Sequence, residues 1–374
     1  MELPELFDIV AQTSASDLLL TVGVPPMIRV HGELRATNYP KLTPEENKRL
    51  IFSLLNENQR LMIEENRELD FSLGFGGVNR FRVNVYYQKG SLAAAFRAIP
   101  SQIPKLKELG LPAVVYDLSM IPQGLILVTG PTGHGKSTTL ASMIDLINTN
   151  KRCHIISVED PIEYVHFHKN SVVDQRELGE DTLSFATALK YALRQDPDVI
   201  LVGEMRDLDT ISAALTAAET GHLVLATLHT NDAVQTIDRV IDVFPERQQQ
   251  QMRVQLSLML KAVISQRLLP KASGDGRVLA VEVLINNHAS ANLIREGKTY
   301  QLYSVIETGH KEGMTTMDAS LVRLYKKGLI AQEEALQHMR NPQALIDMLA
   351  NQAEEHPVST AISKAKEYWN KPRT

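Results

Sequence analysis

Between residues 130 and 137 the chain reads Gly-Pro-Thr-Gly-His-Gly-Lys-Ser. Three glycines at this spacing let the backbone turn tightly, so that successive N–H groups point inward at an anion. A helix opening at the lysine adds the positive end of its dipole. The apolar run Leu125–Thr129 precedes the loop and a helical pattern through Ile147 follows it, so a buried strand feeds the turn and a helix leaves it. Such a loop holds the phosphates of a nucleoside triphosphate. Its cradle is Gly130, Pro131, Thr132, Gly133, His134, Gly135, Lys136, Ser137 and Thr138. Lys136 reaches the β- and γ-phosphates as a mobile point charge, and the Ser137 hydroxyl ligates Mg²⁺, which keeps most of its waters. By composition alone the pattern arises in about one chain of this length in a hundred, and the flanking strand and helix lower that further. ATP and Mg²⁺ are the expected cofactors.

Phosphoryl transfer to water also needs a group that orients or deprotonates the attacking water. Glu204 fits, because it follows the apolar strand Val199–Val202 and projects from the sheet edge; Gly203 stands where such strands usually carry a metal-assisting Asp. Metal support then falls to Ser137 and Glu204 with Glu159, Asp160 or Glu163, which end the strand His154–Val158 or follow it. His229 ends the strand Leu223–Thr227, placed like a sensor of the γ-phosphate. His222 precedes that strand and reads more readily as a hydrogen-bonded structural residue than as a catalyst. Arg80, Arg82 and Arg97 occupy strands of the first domain. Arg80 and Arg82, two apart, share one face, either as solvated charges or as arginine fingers toward a neighbouring subunit.

The elements that must position these residues fall into two blocks. Residues 1–98 read as an α+β domain: a helix over 2–12, strands near 17–22, 27–30 and 33–36, helices from Pro44 and Glu57, and strands over 69–75, 79–87 and 92–99. Turns are expected at His31-Gly32 and Gly76-Gly77. Residues 99–122, with Pro100, Pro104, Pro112 and Pro122, read as a stiff linker. From 123 to 374 strands and helices alternate in the α/β manner. After Pro245 the pattern reads as mostly helical to Leu269, then as a strand Val278–Ile285, and then as a helical tail with a cap at Thr315 or Thr316 and a polar last twenty residues.

The 374 residues carry a formal net charge of −5 and no block of consecutive basic residues, which argues against a nucleic-acid translocase. One cysteine excludes an intrachain disulfide framework and a Cys-rich zinc site, and points to a reducing compartment. No stretch approaches a membrane span. The expectation is a cytoplasmic protein, without direct membrane insertion, that meets a membrane through a partner.

Four segments in order, Gly130–Leu140, Ile156–His166, Asp196–Asp207 and Thr220–Thr230, resemble the Walker A, Asp box, Walker B and His box of the secretion-superfamily ATPases, in the branch of bacterial type IV pilus retraction motors. The resemblance implies a RecA-like P-loop ATPase core, a PAS-like N-terminal domain and a homohexameric ring with ATP between domains. It implies Glu204 as catalytic carboxylate, Glu163 in the Asp box, His222 and His229 in the His box, and Arg82 and Arg97 as arginines that approach the nucleotide. It further implies a platform protein in the inner membrane as partner, a peripheral position at that membrane's cytoplasmic face and a paralogous retraction ATPase as a further partner. Two departures stand out. His134 replaces the family's usual serine, which raises the expectation of pH-sensitive turnover. Ala289-Ser-Ala-Asn-Leu-Ile-Arg-Glu296 differs at Ser290 and Ala291 from the family's retraction motif, leaving primary and accessory motors both open. The rivals are an assembly or secretion ATPase, a P-loop kinase and a nucleotide-regulated scaffold.

Overall fold

The computed structural model describes residues 1–30, 32–75, 79–99, 102–343 and 345–346. His31, the Gly76-Gly77 turn, Pro100 of the linker and the polar last twenty residues lie outside the described residues. Two compact units emerge. One is Met1–Ile103 with Asp160–Phe167 and Glu177–Asp181; the other is Pro104–Glu159, His168–Arg176 and the described part of Thr182–Thr374.

The first unit runs α1 (Leu3–Thr13), β1 (Asp17–Leu20), β2 (Met27–Val30), β3 (Glu33–Ala36), α2 (Pro44–Phe52), α3 (Glu57–Asn66), β4 (Glu68–Phe75), β5 (Asn79–Gln88) and β6 (Ser91–Ile99). Its sheet has the order β3-β2-β1-β6-β5-β4 with antiparallel neighbours throughout. Alternation drives it: Phe81, Val83 and Val85 of β5 turn into the core, where the Phe7 ring lies 4.5 Å from that of Phe81, and Arg80 and Arg82 take the other face. Thr43 and Asn56 start α2 and α3 by accepting the amides of Glu46 and Gln59.

The second unit holds α4 (Val114–Ser119), β7 (Gly124–Thr129), α5 (Lys136–Asn150), β8 (His154–Glu159), β9 (Val172–Glu177, its last residue grouped with the first unit), α6 (Phe185–Ala192), β10 (Val199–Val202), α7 (Leu208–Glu219), β11 (Leu223–Leu228), α8 (Ala233–Asp242), α9 (Glu246–Met259), β12 (Leu260–Pro270), β13 (Arg277–Ile285), α10 (His288–Arg295), α11 (Leu302–Thr308), α12 (Met317–Lys326) and α13 (Gln332–His338). The sheet order is β13-β12-β7-β11-β10-β8-β9. Strands β12, β7, β11, β10 and β8 are parallel, and β13 is antiparallel to β12. Every residue of β7, β10 and β11 is buried, as a parallel sheet covered on both faces requires. This is the α/β core that the alternating pattern implied.

One expectation is corrected. Residues 260–270 are not helical but form β12, beside β7. Leu-Lys-Ala-Val-Ile-Ser-Gln-Arg-Leu-Leu is apolar without a clear period, and such a run reads alike as buried helix or buried strand. Burial between two strands settles it in favour of the strand.

β12 also sets the geometry of the glycine loop. Gly130 has φ +140°, and a β-carbon there would strike the main-chain carbonyl oxygen of Gln266. Backbone strain of this kind costs about 1–3 kcal/mol, so Gly130→Ala should lower the melting temperature by about 5 °C in a thermal scan. An unchanged melting temperature would remove Gly130 as a packing constraint.

Candidate functional site

Because β7, β11, β10 and β8 run parallel in register, the loops after Thr129, Leu228, Val202 and Glu159 leave at one edge of the sheet. Gly133 and Gly135 take left-handed conformations, φ +78° and +84°. Gly135 is the N-cap of α5 and offers no side-chain cap, whereas α6, α7 and α8 are capped by Ser184, Asp207 and Asp232. The head of α5 therefore meets the loop with the positive end of its dipole and with no side-chain cap at Gly135.

Lys136 is buried at 7% exposure. Its Nζ donates to the carbonyls of Gly130 (2.7 Å) and Pro131 (3.0 Å) and lies 3.3 Å from His229 Nδ1. An ammonium has donors only, so His229 Nδ1 must accept. The ring proton is then on Nε2, 3.2 Å from Glu204 Oε2, and it is donated to that carboxylate. Thr132 Oγ1, 3.3 Å away, shares the same Nδ1. Arg206 Nε donates to the other carboxylate oxygen at 2.7 Å. Burial works against the charge on Glu204, but the Arg206 hydrogen bond and the adjoining His229 and Arg206 outweigh it. The carboxyl is held below its usual range.

Glu159 ends β8 beside β10 and accepts from Ser157 Oγ (2.7 Å) and Gln175 Nε2 (3.1 Å). No group of three or more His, Cys, Asp or Glu among the described residues makes a metal cage. A divalent cation here would share its shell with water and phosphate, as Mg²⁺ does, and the hydroxyl and carboxylate donors of this edge fit it.

His134 points away from the expected chemistry. Its Nδ1 accepts the Leu268 N–H of β12 at 2.9 Å, and the neighbouring Gly133 carbonyl accepts from Arg277 Nη1 of β13 at 3.1 Å. The imidazole thus braces the loop against the sheet.

Other expected residues lie elsewhere. His222 sits at the amino end of β11, a strand of about 20 Å, where its Nδ1 lies 2.9 Å from the Ala217 carbonyl at the close of α7. Glu163, Arg82 and Arg97 belong to the first unit. Glu163 is exposed. Arg82 and Arg97 are directly opposite across β5 and β6, and Arg97 Nε donates to Asp17 at 3.0 Å. Arg80 pairs with buried Glu177 at 2.8 Å. Arg206 and Arg277 went unnoticed as site residues in the sequence. Two residues after Glu204, Arg206 was detectable by proximity. Arg277 had no local signal, because only the pairing of β13 with β12 brings it to the loop.

Comparison with known proteins gives the family. Residues 111–293 match the type II/IV secretion system protein family. The chain is similar to the type IV pilus retraction ATPase PilT of Pseudomonas aeruginosa, 52% identical over 92% of this chain and 99% of that one. It is also similar to a twitching motility protein of Neisseria gonorrhoeae, 51% identical over 89% of each. The crystal structure of the pilus retraction motor PilT with bound ADP superposes with a TM-score of 0.86 at 54% identity, covering 92% of this chain and 98% of that one.

The His134 bond has a pH signature. Burial, then the charges of Arg267, Lys136 and Arg277, hold the His134 pKa below its ordinary 6.5. The unfolded chain therefore binds the proton more readily. The bond's stability is complete above that ordinary value and is lost as pH falls through the lower folded one. At pH 7.5, His134→Ser should cost about 1 kcal/mol, and the gap to wild type in denaturant titrations should shrink toward pH 5. A gap independent of pH would rule the bond out as its source.

Proposed function

The chain belongs to the PilT-type ATPases of the type II/IV secretion system protein family, and we infer its mode of action from the Lys136–His229–Glu204 chain of contacts. It is an ATPase, the motor that retracts type IV pili in twitching motility. We propose that Gly130–Thr138 cradle the ATP phosphates, that Lys136 offsets their charge, and that Ser137, Glu159 and Glu204 hold Mg²⁺. The ion, when bound, withdraws charge from the phosphoryl oxygens.

Glu204, kept ionised, accepts a hydrogen bond from the attacking water and so orients it toward the γ-phosphate. His229 holds that carboxylate in place and links it to the lysine that meets the phosphate. Arg206 limits its rotation from the other side. Glu163, Arg82 and Arg97 take the roles the family resemblance gives them, the arginines as charge donors to the transition state, while His222, at the opposite end of β11, braces the close of α7.

We further propose a homohexamer that works from the cytoplasmic face on an inner-membrane platform protein, with a paralogous retraction ATPase as a further partner and without nucleic acid. In support, no helix among the described residues is long and apolar enough to cross a membrane. Leu183, at 92% exposure, and Tyr191 also offer apolar surface that a second copy would cover. This motor reading is favoured over a P-loop kinase or an assembly ATPase by similarity to retraction proteins over 92% and 89% of the chain.

Glu204→Gln should keep nucleotide binding and lower kcat by about 10²–10⁴-fold, while Lys136→Ala should lose binding itself. In cells deleted for the gene, imaging should show excess pili that do not shorten, restored by wild type and not by Glu204→Gln. Loss of pili would favour assembly, and shortening that persists would assign an accessory role.

A further inference from the structure

A line of buried hydroxyls runs beneath the site from β12 to the head of α8. Ser265 Oγ is 2.8 Å from Thr129 Oγ1, which is 3.4 Å from Thr236 Oγ1, which in turn is 2.7 Å from Thr230 Oγ1. Thr236 also donates to the Asp232 carbonyl at 2.7 Å. Ser265, Thr129 and Thr236 have no solvent exposure. Hydroxyls so deeply buried cost stability unless each proton and lone pair is used. Here the proton count works. The Thr236 proton faces two acceptors, the Asp232 carbonyl at 2.7 Å and Thr129 Oγ1 at 3.4 Å, so its oxygen accepts from Thr230, and Thr129 and Ser265 share one proton between them.

Two members of this line adjoin functional residues. Thr129 is the last residue before Gly130, and Thr230 is the first after His229. A rigid link between them fixes where the His229 ring stands relative to the phosphate loop. Among the described residues that ring also makes contacts of 3.2–3.3 Å with Glu204, Lys136 and Thr132. We propose that Thr236 is a positioning residue that moors the His229 loop to the base of the phosphate loop, so that the imidazole meets Lys136 and Glu204 together. The inference rests on the reading of His229 as the bridge between those two groups. Thr236 touches no reacting atom and acts only through the loop.

The experiment compares Thr236→Val, Thr236→Ser and Thr230→Val in the full chain by steady-state ATPase kinetics and ADP titration. Valine keeps the shape and removes the hydroxyl; serine keeps the hydroxyl. Misplacing a catalytic group costs about ten- to a hundredfold, so Thr236→Val should lower kcat by that factor with KM and ADP affinity within about twofold. Thr236→Ser should recover most of the rate. Thr230→Val, at the half-buried end, should lower kcat alike, and it carries the test if Thr236→Val fails to fold. Wild-type kcat in both valine variants would overturn the proposal, as would equal losses for Thr236→Val and Thr236→Ser. A parallel His229→Ala measurement separates the two ideas: an unchanged kcat there would sink the bridge, whereas a loss there with active valine variants would sink only the mooring.

Discussion

An ammonium group has nothing but donors, and that fact organises the site. Lys136, buried at the head of α5, can face His229 only if the ring turns a bare nitrogen toward it. The proton is then forced onto the opposite nitrogen, and Glu204 is the acceptor within reach. One imidazole thereby connects the residue that binds phosphate to the residue that orients water. Arg206, on the far side of the carboxylate, completes the restraint and keeps Glu204 anionic against the cost of its burial.

Everything else near the site serves to hold that line of atoms still. Parallel register among β7, β11, β10 and β8 delivers the loops to one edge. The approach of β12 to Gly130 leaves no room for a side chain, and His134 and Arg277 clasp the outer turn of the loop to β12 and β13. The head of α8 is secured by Asp232, by the Thr236 hydroxyl and by Glu282. That buried carboxylate also accepts the Met317 amide at the head of α12. Burial pushes the Glu282 pKa up to about 6, so this joint between the motor core and the C-terminal helices rests on a carboxyl close to neutralisation.

His134 shows that a motif can fix the path of the backbone without fixing where each side chain goes. Its place in the glycine loop suggested an imidazole beside the phosphates. In the fold the same position lies next to β12, and the side chain takes the backbone amide of Leu268. The strand β12 itself was hidden for a related reason. An apolar run without period identifies burial and not conformation, and only pairing with β7 and β13 decides between helix and strand.

The sequence by itself determined the nucleotide loop, the strands that feed it, the alternation of an α/β core after an α+β block, and the candidacy of Glu204, Glu159 and His229. Each is a local signal: glycine spacing, an apolar run of strand length, a polar residue at its end. The tertiary structure alone decided which of these residues meet. It joined His229 to Lys136 and Glu204, placed His222 at the opposite end of its strand, recruited Arg206 and Arg277, and buried the hydroxyls of Ser265, Thr129 and Thr236 in one line. These contacts join residues far apart in the chain, up to 144 positions for Arg277 and Gly133. No local pattern encodes them, because strand order and register, not sequence spacing, set the distance between side chains.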